Sequence, residues 1–268
     1  MKILYSKNDL NEALNNVSNL GFVPTMGSLH RGHISLIKQS KKECKKTIVS
    51  IFVNPSQFNN KKDFTNYPRN RKKDLSILRK QRVDFAFLPD NEEIYNFKRK
   101  IKISKKNKIL CAKFRKGHFE GVIDIMDRLT RMISPNKIFM GEKDFQQLYL
   151  VKSFLRKKSK SKIISCKTIR DKHRLALSSR NILLKNNDLN TARHISKNLS
   201  NFKKKLIQKK NILNLINLKI KELNNLKNVK IEYLELRNKN TLKKSFQIKN
   251  SKIFIAYFIK KVRLIDNF

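Results

Sequence analysis

The first half of the chain alternates short β-branched and aromatic runs with longer stretches in which apolar residues recur every three or four positions. Residues 21–25 (GFVPT), 47–53 (TIVSIFV), 83–89 (VDFAFLP), 137–140 (KIFM) and 162–168 (KIISCKT) read as buried strands. Residues 8–18, 31–44, 70–81, 119–133 and 144–157 carry helical spacing. Such alternation predicts an α/β fold, a mostly parallel sheet with helices on both faces. Ligands in sheets of this kind bind beyond the carboxyl ends of the strands, where the strand order reverses.

The pattern changes in the second half. From Asn186 to about Leu226, Leu or Ile returns every three or four residues among Lys and Asn, which predicts one or two amphipathic helices. Strand-like runs follow at 229–236 (VKIEYLEL), 251–259 (SKIFIAYFI) and 261–265 (KVRLI). A smaller α+β unit is therefore predicted for 181–268, after a first domain over 1–180. No internal repeat is visible.

Composition changes this picture in one respect. Lys and Arg number 63 against 20 Asp and Glu, a net charge of +43, the electrostatic footprint of a nucleic-acid or anionic-membrane partner. The charge is spread over the whole chain rather than gathered in a stripe or tail, which fits a general drift toward Lys, Asn and Ile and counts against nucleic acid. Such drift erodes glycine and proline as well. All six glycines (Gly21, Gly27, Gly32, Gly117, Gly121, Gly141) and all five prolines precede residue 142, so where they survive they mark loops whose backbone geometry demands them.

Length and cysteines set further bounds. A chain of 268 residues can bury a sizeable core. Cys44, Cys111 and Cys166 show no C-x-x-C spacing, so neither a disulfide framework nor a zinc site is suggested, and a reduced cytoplasmic compartment fits. The N-terminus lacks the apolar run of a signal peptide, and Ile253–Ile259 is far too short to span a membrane.

The richest segment is PTMGSLHRGH, residues 24–33. A strand ends at Thr25, Gly27 permits a tight turn, and a helix beginning near Arg31 points its free N–H groups back at the turn, the setting of a phosphate site. His30 and His33 lie three apart across the helix start, so both rings can face the same anion. Imidazole N–H donors suit triphosphate oxygens whose charge grows as pyrophosphate leaves. The rival reading is that the two histidines merely cap the helix.

H-x-G-H after a first strand marks the nucleotidyltransferase superfamily, and the fuller VPTMGSLHRGH resembles the pantothenate synthetase (pantoate–beta-alanine ligase) family. VNPSQF (53–58), YPR (67–69), GHFEGV (117–122), GEKDFQQ (141–147), LALSSR (175–180) and VRLIDN (262–267) match that family's motifs in order. The resemblance implies a Rossmann-like first domain and a C-terminal lid. It also implies ATP-dependent condensation of pantoate with beta-alanine through a pantoyl adenylate, with magnesium and a homodimer.

The same resemblance assigns residues. Met26, Gly27, Ser28, Leu29, His30, Arg31, Gly32 and His33 would hold ATP, with His30, His33 and Lys143 as catalytic groups. Gly141, Glu142, Lys143 and Asp144 would contact the nucleotide, Asp144 toward ribose or metal. Ile169, Leu177, Ser178, Ser179 and Arg180 would complete the ATP site. Gln57 would bind pantoate and beta-alanine, with Gln147 and Asn54 at pantoate. One departure stands out: the family's Asp-Gly before L-A-x-S-S-R is replaced by His173 and Arg174, and an arginine at a glycine's positive φ would cost about 1 kcal/mol. Two other classes are weighed. Another H-x-G-H adenylyl- or cytidylyltransferase should lack the two glutamine sites, and a basic nucleic-acid-binding protein would leave the glycine and histidine clustering unexplained.

Overall fold

The computed structural model describes residues 1–97, 99–208 and 211–268. The chain divides into two compact units, Met1–Lys167 and Thr168–Phe268. The sequence reading sets the boundary at residue 180. The intervening segment falls in the second unit: Leu175 is buried in that unit's core and Arg170 pairs with Asp266 at 2.7 Å, long-range contacts that leave no mark in local periodicity.

The first unit runs β1 (Lys2–Leu4), α1 (Lys7–Leu14), β2 (Leu20–Thr25), α2 (Arg31–Glu43), β3 (Lys46–Ile51), α3 (Lys61–Thr65), α4 (Arg71–Lys80), β4 (Phe85–Phe87), α5 (Asn91–Ile94), α6 (Cys111–Phe114), α7 (His118–Ile133), β5 (Lys137–Gly141), α8 (Phe145–Leu155) and β6 (Lys162–Cys166). Its six strands are ordered β1-β4-β3-β2-β5-β6, every neighbouring pair parallel. The chain moves from β2 outward to β3 and β4, then returns to β2's other side for β5 and β6. Right-handed crossovers in opposite directions place the connecting helices on opposite faces, and the order reverses between β2 and β5. Phe22, Val23, Ile48, Val49, Ala86, Phe87, Ile138 and Phe139 are wholly buried. Covering both faces removes the polar alternation of an exposed sheet, which is why these strands read as continuous apolar runs. The periodicity misses β1, whose three residues at the sheet edge pair with Phe85–Phe87.

In the second unit, α9 (Asn186–Lys205) and α10 (Ile212–Asn224) precede β7 (Val229–Asn238), β8 (Ser251–Ile259) and β9 (Val262–Asn267). The strands form an antiparallel sheet in the order β7-β8-β9. Ala192, Ile195 and Leu199, spaced three and four apart on α9, join Ile216 and Leu223 of α10 and Ile253, Ile255 and Tyr257 of β8 in one core. The predicted helical stretch 186–226 includes residues 209 and 210, which lie outside the described residues. Among the described residues, no helix is long and apolar enough to cross a membrane.

Candidate active site

The loop after β2 is fastened from two sides. Thr25 donates its hydroxyl to the Ser50 carbonyl at 2.7 Å and accepts the Gly27 N–H at 3.2 Å. Gly27 and Ser28 then take positive φ, 78° and 51°, which for serine costs about 1 kcal/mol. Asp74, in the first turn of α4 and 2% exposed, counters that cost: its carboxylate accepts the N–H groups of Ser28 at 2.8 Å and Leu29 at 2.7 Å. A Cβ on Gly27 would lie 2.9 Å from the same carboxylate.

His30 is the N-cap of α2, extended at φ −138°, and its Nδ1 accepts the N–H of Gly32 at 3.0 Å. His33, three residues on, accepts the N–H of His30 through its own Nδ1 at 3.2 Å. This is a capping box built from two imidazoles in place of a hydroxyl and a carboxylate. A backbone N–H can only donate, so neither Nδ1 carries a proton and each neutral ring holds its proton on Nε2. The ring centroids are 4.1 Å apart. Burial above all lowers the His30 pKa to about 4, with the charge of Lys143 adding to it. Burial, then His30, then Lys143 lower that of His33 to about 3. Near neutral pH the loop presents two uncharged N–H donors. Capping, the rival reading in the sequence, takes Nδ1 of each ring and leaves Nε2 outside the cap. The N–H of Gly32, one of the helix-start groups that the sequence reading offers to an anion, is spent on His30, and the loop N–H groups of Ser28 and Leu29 are spent on Asp74.

At the end of β5, Gly141 leads into a single turn, Glu142–Asp144, and then α8. Lys143 lies 3.6 Å from Asp144 and is close enough to both histidines to depress their protonation. Gln147 is half-buried, whereas its neighbour Gln146 is buried and donates to the carbonyls of Asn107 and Ile109. Among the described residues no three His, Cys, Asp or Glu side chains gather as a metal-holding group. Asp144, the one metal ligand named from sequence, faces Lys143.

After β3, Pro55–Gln57 forms a short turn capped by Asn54. Asn54 is almost wholly buried and fully engaged: its Oδ1 accepts from the Ser56 N–H and hydroxyl and from the Tyr95 hydroxyl, and its Nδ2 donates to the Gly121 carbonyl at 3.1 Å and toward Gln57 Oε1 at 3.3 Å. Asn54 therefore supports Gln57, whose Nε2 points at Met26 Sδ. Sequence reasoning gave no role to Asp74 or His118. An acid in an R-K-K-D-L helix start reads as an ordinary first-turn charge, and only its burial reveals its partners.

Within the second unit, the N–H of Leu177 bonds the Ile169 carbonyl at 3.0 Å and Arg170 bridges Ala176, closing a narrow hairpin. Arg174 occupies its tip at φ 71°, the left-handed conformation that glycine would take without cost. Asp171 steadies the tip by accepting from the N–H groups of His173 and Leu175 and from Arg193. Burial raises its carboxyl pKa, but these bonds outweigh burial and the net shift is downward. Ser178 caps the turn that carries Ser179 and Arg180 by accepting the Arg180 N–H at 3.3 Å.

The family model described as pantoate-beta-alanine ligase matches residues 2–268. A pantothenate synthetase of Sulfurihydrogenibium is 39% identical over 254 residues, covering 92% of this chain and 91% of that one. One of Azobacteroides pseudotrichonymphae is 42% identical over 258 residues, covering 92% and 91%. Among solved structures, pantoate-beta-alanine ligase of Thermus thermophilus superposes with a TM-score of 0.94 at 30% identity, covering 100% and 99% of the two chains. The Francisella tularensis enzyme, complexed with beta-gamma ATP and beta-alanine, superposes with a TM-score of 0.85 at 37% identity, covering 100% and 97%.

Proposed function

The chain belongs to the pantoate-beta-alanine ligase family and joins pantoate to beta-alanine at the cost of ATP; from that premise we propose how its residues divide the work. The observation that carries the reading is the pair of neutral histidines fixed by their own helix cap at the strand-order reversal, beside Lys143. The Nε2–H groups of His30 and His33 donate to triphosphate oxygens, and Lys143 adds a positive charge. These donors gain strength as the pantoate carboxylate attacks the α-phosphorus and charge builds on departing pyrophosphate. The Gln57 amide reads pantoate and then beta-alanine, with Gln147 as a second pantoate contact and Asn54 as support. Beta-alanine's amine attacks the acyl carbon of the adenylate, the acyl–oxygen bond breaks, AMP leaves with that former pantoate carboxylate oxygen, and the amine's proton passes to solvent. Positioning and charge stabilisation suffice, with no covalent enzyme intermediate.

Met26, Arg31, Gly141 and Glu142 border the nucleotide in this scheme, and Asp144 faces the ribose. The residues present do not fit a protein-built magnesium centre, so magnesium enters on the triphosphate and no step here is routed through it. A homodimer in the cytoplasm completes the proposal. Incubation with ATP, D-pantoate and beta-alanine tests it: AMP release should require both co-substrates, and AMP release that ignores either one overturns the reading.

A further inference from the structure

The GHFEG segment opens α7 and is packed against the turn that carries Gln57. His118 is 6% exposed, and its Nδ1 lies 2.7 Å from the main-chain carbonyl of Gln57. A carbonyl only accepts, so Nδ1 carries the proton. Arginine only donates, so Nε2, 2.8 Å from Arg115 Nη1, accepts. Both ring nitrogens are thereby fixed, and Arg115 Nη2 approaches the same Gln57 carbonyl at 3.3 Å. Three residues on, a Cβ at Gly121 would fall 2.5 Å from the Ser56 carbonyl oxygen and 2.7 Å from its carbon, so only glycine lets the helix approach this closely. The Gly121 carbonyl in turn receives the Asn54 amide, and Asn59 donates to the Lys116 carbonyl.

We propose that His118 is a positioning residue for both co-substrates, its Nδ1–H clamping the Gln57 carbonyl so that the Gln57 amide stays aimed at pantoate and then at beta-alanine. The clamp sets where the Gln57 backbone sits, and Asn54, beside Oε1, sets which way the amide is turned. Losing the clamp frees the turn but leaves the bonds of Asp74, His30 and His33 that fasten the histidine loop after β2, so co-substrate recognition should suffer far more than ATP recognition. The inference rests on the reading of Gln57 as the pantoate and beta-alanine contact.

Two polar substitutions test it. An asparagine amide nitrogen superposes on histidine Nδ1, being the same number of bonds from Cα, whereas a glutamine amide nitrogen reaches the place of Nε2. His118→Gln should raise KM for pantoate and for beta-alanine about fivefold, the worth of one neutral hydrogen bond, with KM for ATP changed less than about twofold. His118→Asn should restore both co-substrate constants to within about twofold of the parent. Equal effects of the two variants, whether both silent or both damaging, overturn the clamp, because a merely structural histidine would not distinguish donor positions. Gln57→Ala is the control. If it raises the co-substrate constants while His118→Gln does not, the clamp alone fails. If it leaves them unchanged, the reading of Gln57 fails and takes the clamp with it.

Discussion

His33 caps the helix that carries it by accepting the main-chain N–H of His30 through Nδ1 at 3.2 Å, while His30 caps the same helix through its own Nδ1. Each ring thus has one nitrogen committed to the fold and one left for chemistry. Asparagine separates the two duties, because its Oδ1 reaches the place of Nδ1 and nothing reaches the place of Nε2. His33→Ala should lose about 1 kcal/mol of stability with the cap and roughly 10²-fold in adenylate formation with the donor. His33→Asn should keep the melting temperature and show the same roughly 10²-fold loss. Full adenylation activity in His33→Asn would remove the donor role. Preformed pantoyl adenylate should be converted to product at near-parental rate by both variants, since pyrophosphate has already departed.

The cap also dictates pH behaviour. Unfolded histidine titrates near 6.5, whereas in the fold His30 and His33 are lowered to about 4 and about 3. Between those values the unfolded chain binds protons that the folded chain does not, so stability is full above about pH 6.5 and falls as pH drops toward about 4 for His30 and about 3 for His33. Long-range proton–nitrogen NMR should find both rings neutral, with bare Nδ1 and protonated Nε2, down to about pH 5. A ring that becomes charged near pH 6.5 would contradict the capping geometry.

Asp74 yields a separate expectation. Its two carboxylate oxygens satisfy two successive N–H groups, that of Leu29 buried and that of Ser28 part-buried, and Asp74→Asn replaces one acceptor with an amide that only donates. One loop N–H is then left facing another donor, a loss of about 1–3 kcal/mol. KM for ATP should rise while KM for pantoate holds, and a melting curve should show the stability loss. An unchanged melting temperature together with an unchanged ATP constant would show that the loop keeps its shape without the carboxylate.

How far such features are legible in sequence depends on their range. The sheet strands and long helices are written in local periodicity, and H-x-G-H carries its spacing openly, because N-cap and third helical position are three residues apart. The bonds from Asp74 to Ser28 and from His118 to Gln57 span 46 and 61 residues, and no local pattern encodes them. Asn54 illustrates the middle case. The family motif singles it out, but only the structure reveals that its polar atoms serve Ser56, Tyr95, Gly121 and Gln57.

Arg174 is the exception that sequence did flag, an arginine where the family resemblance expects glycine, and it sits at φ 71°. The left-handed conformation costs a residue with a Cβ roughly 1–2 kcal/mol. Glycine would return part of that gain, about 0.4–1 kcal/mol, through the greater freedom of its unfolded chain. Arg174 also donates to Ser200 Oγ at 3.2 Å, but that contact is exposed and worth little. The balance favours glycine, so Arg174→Gly should stabilise the protein by about 0.5–1 kcal/mol and raise the melting temperature by roughly 1–4 °C. Asp171 remains free to hold the hairpin tip through the N–H groups of residues 173 and 175, so the turn should keep its path. A lower melting temperature would mean that the guanidinium's contacts outweigh the backbone strain, and paired melts of Arg174→Gly and Arg174→Ala would separate the two, since alanine removes the contacts and keeps the strain.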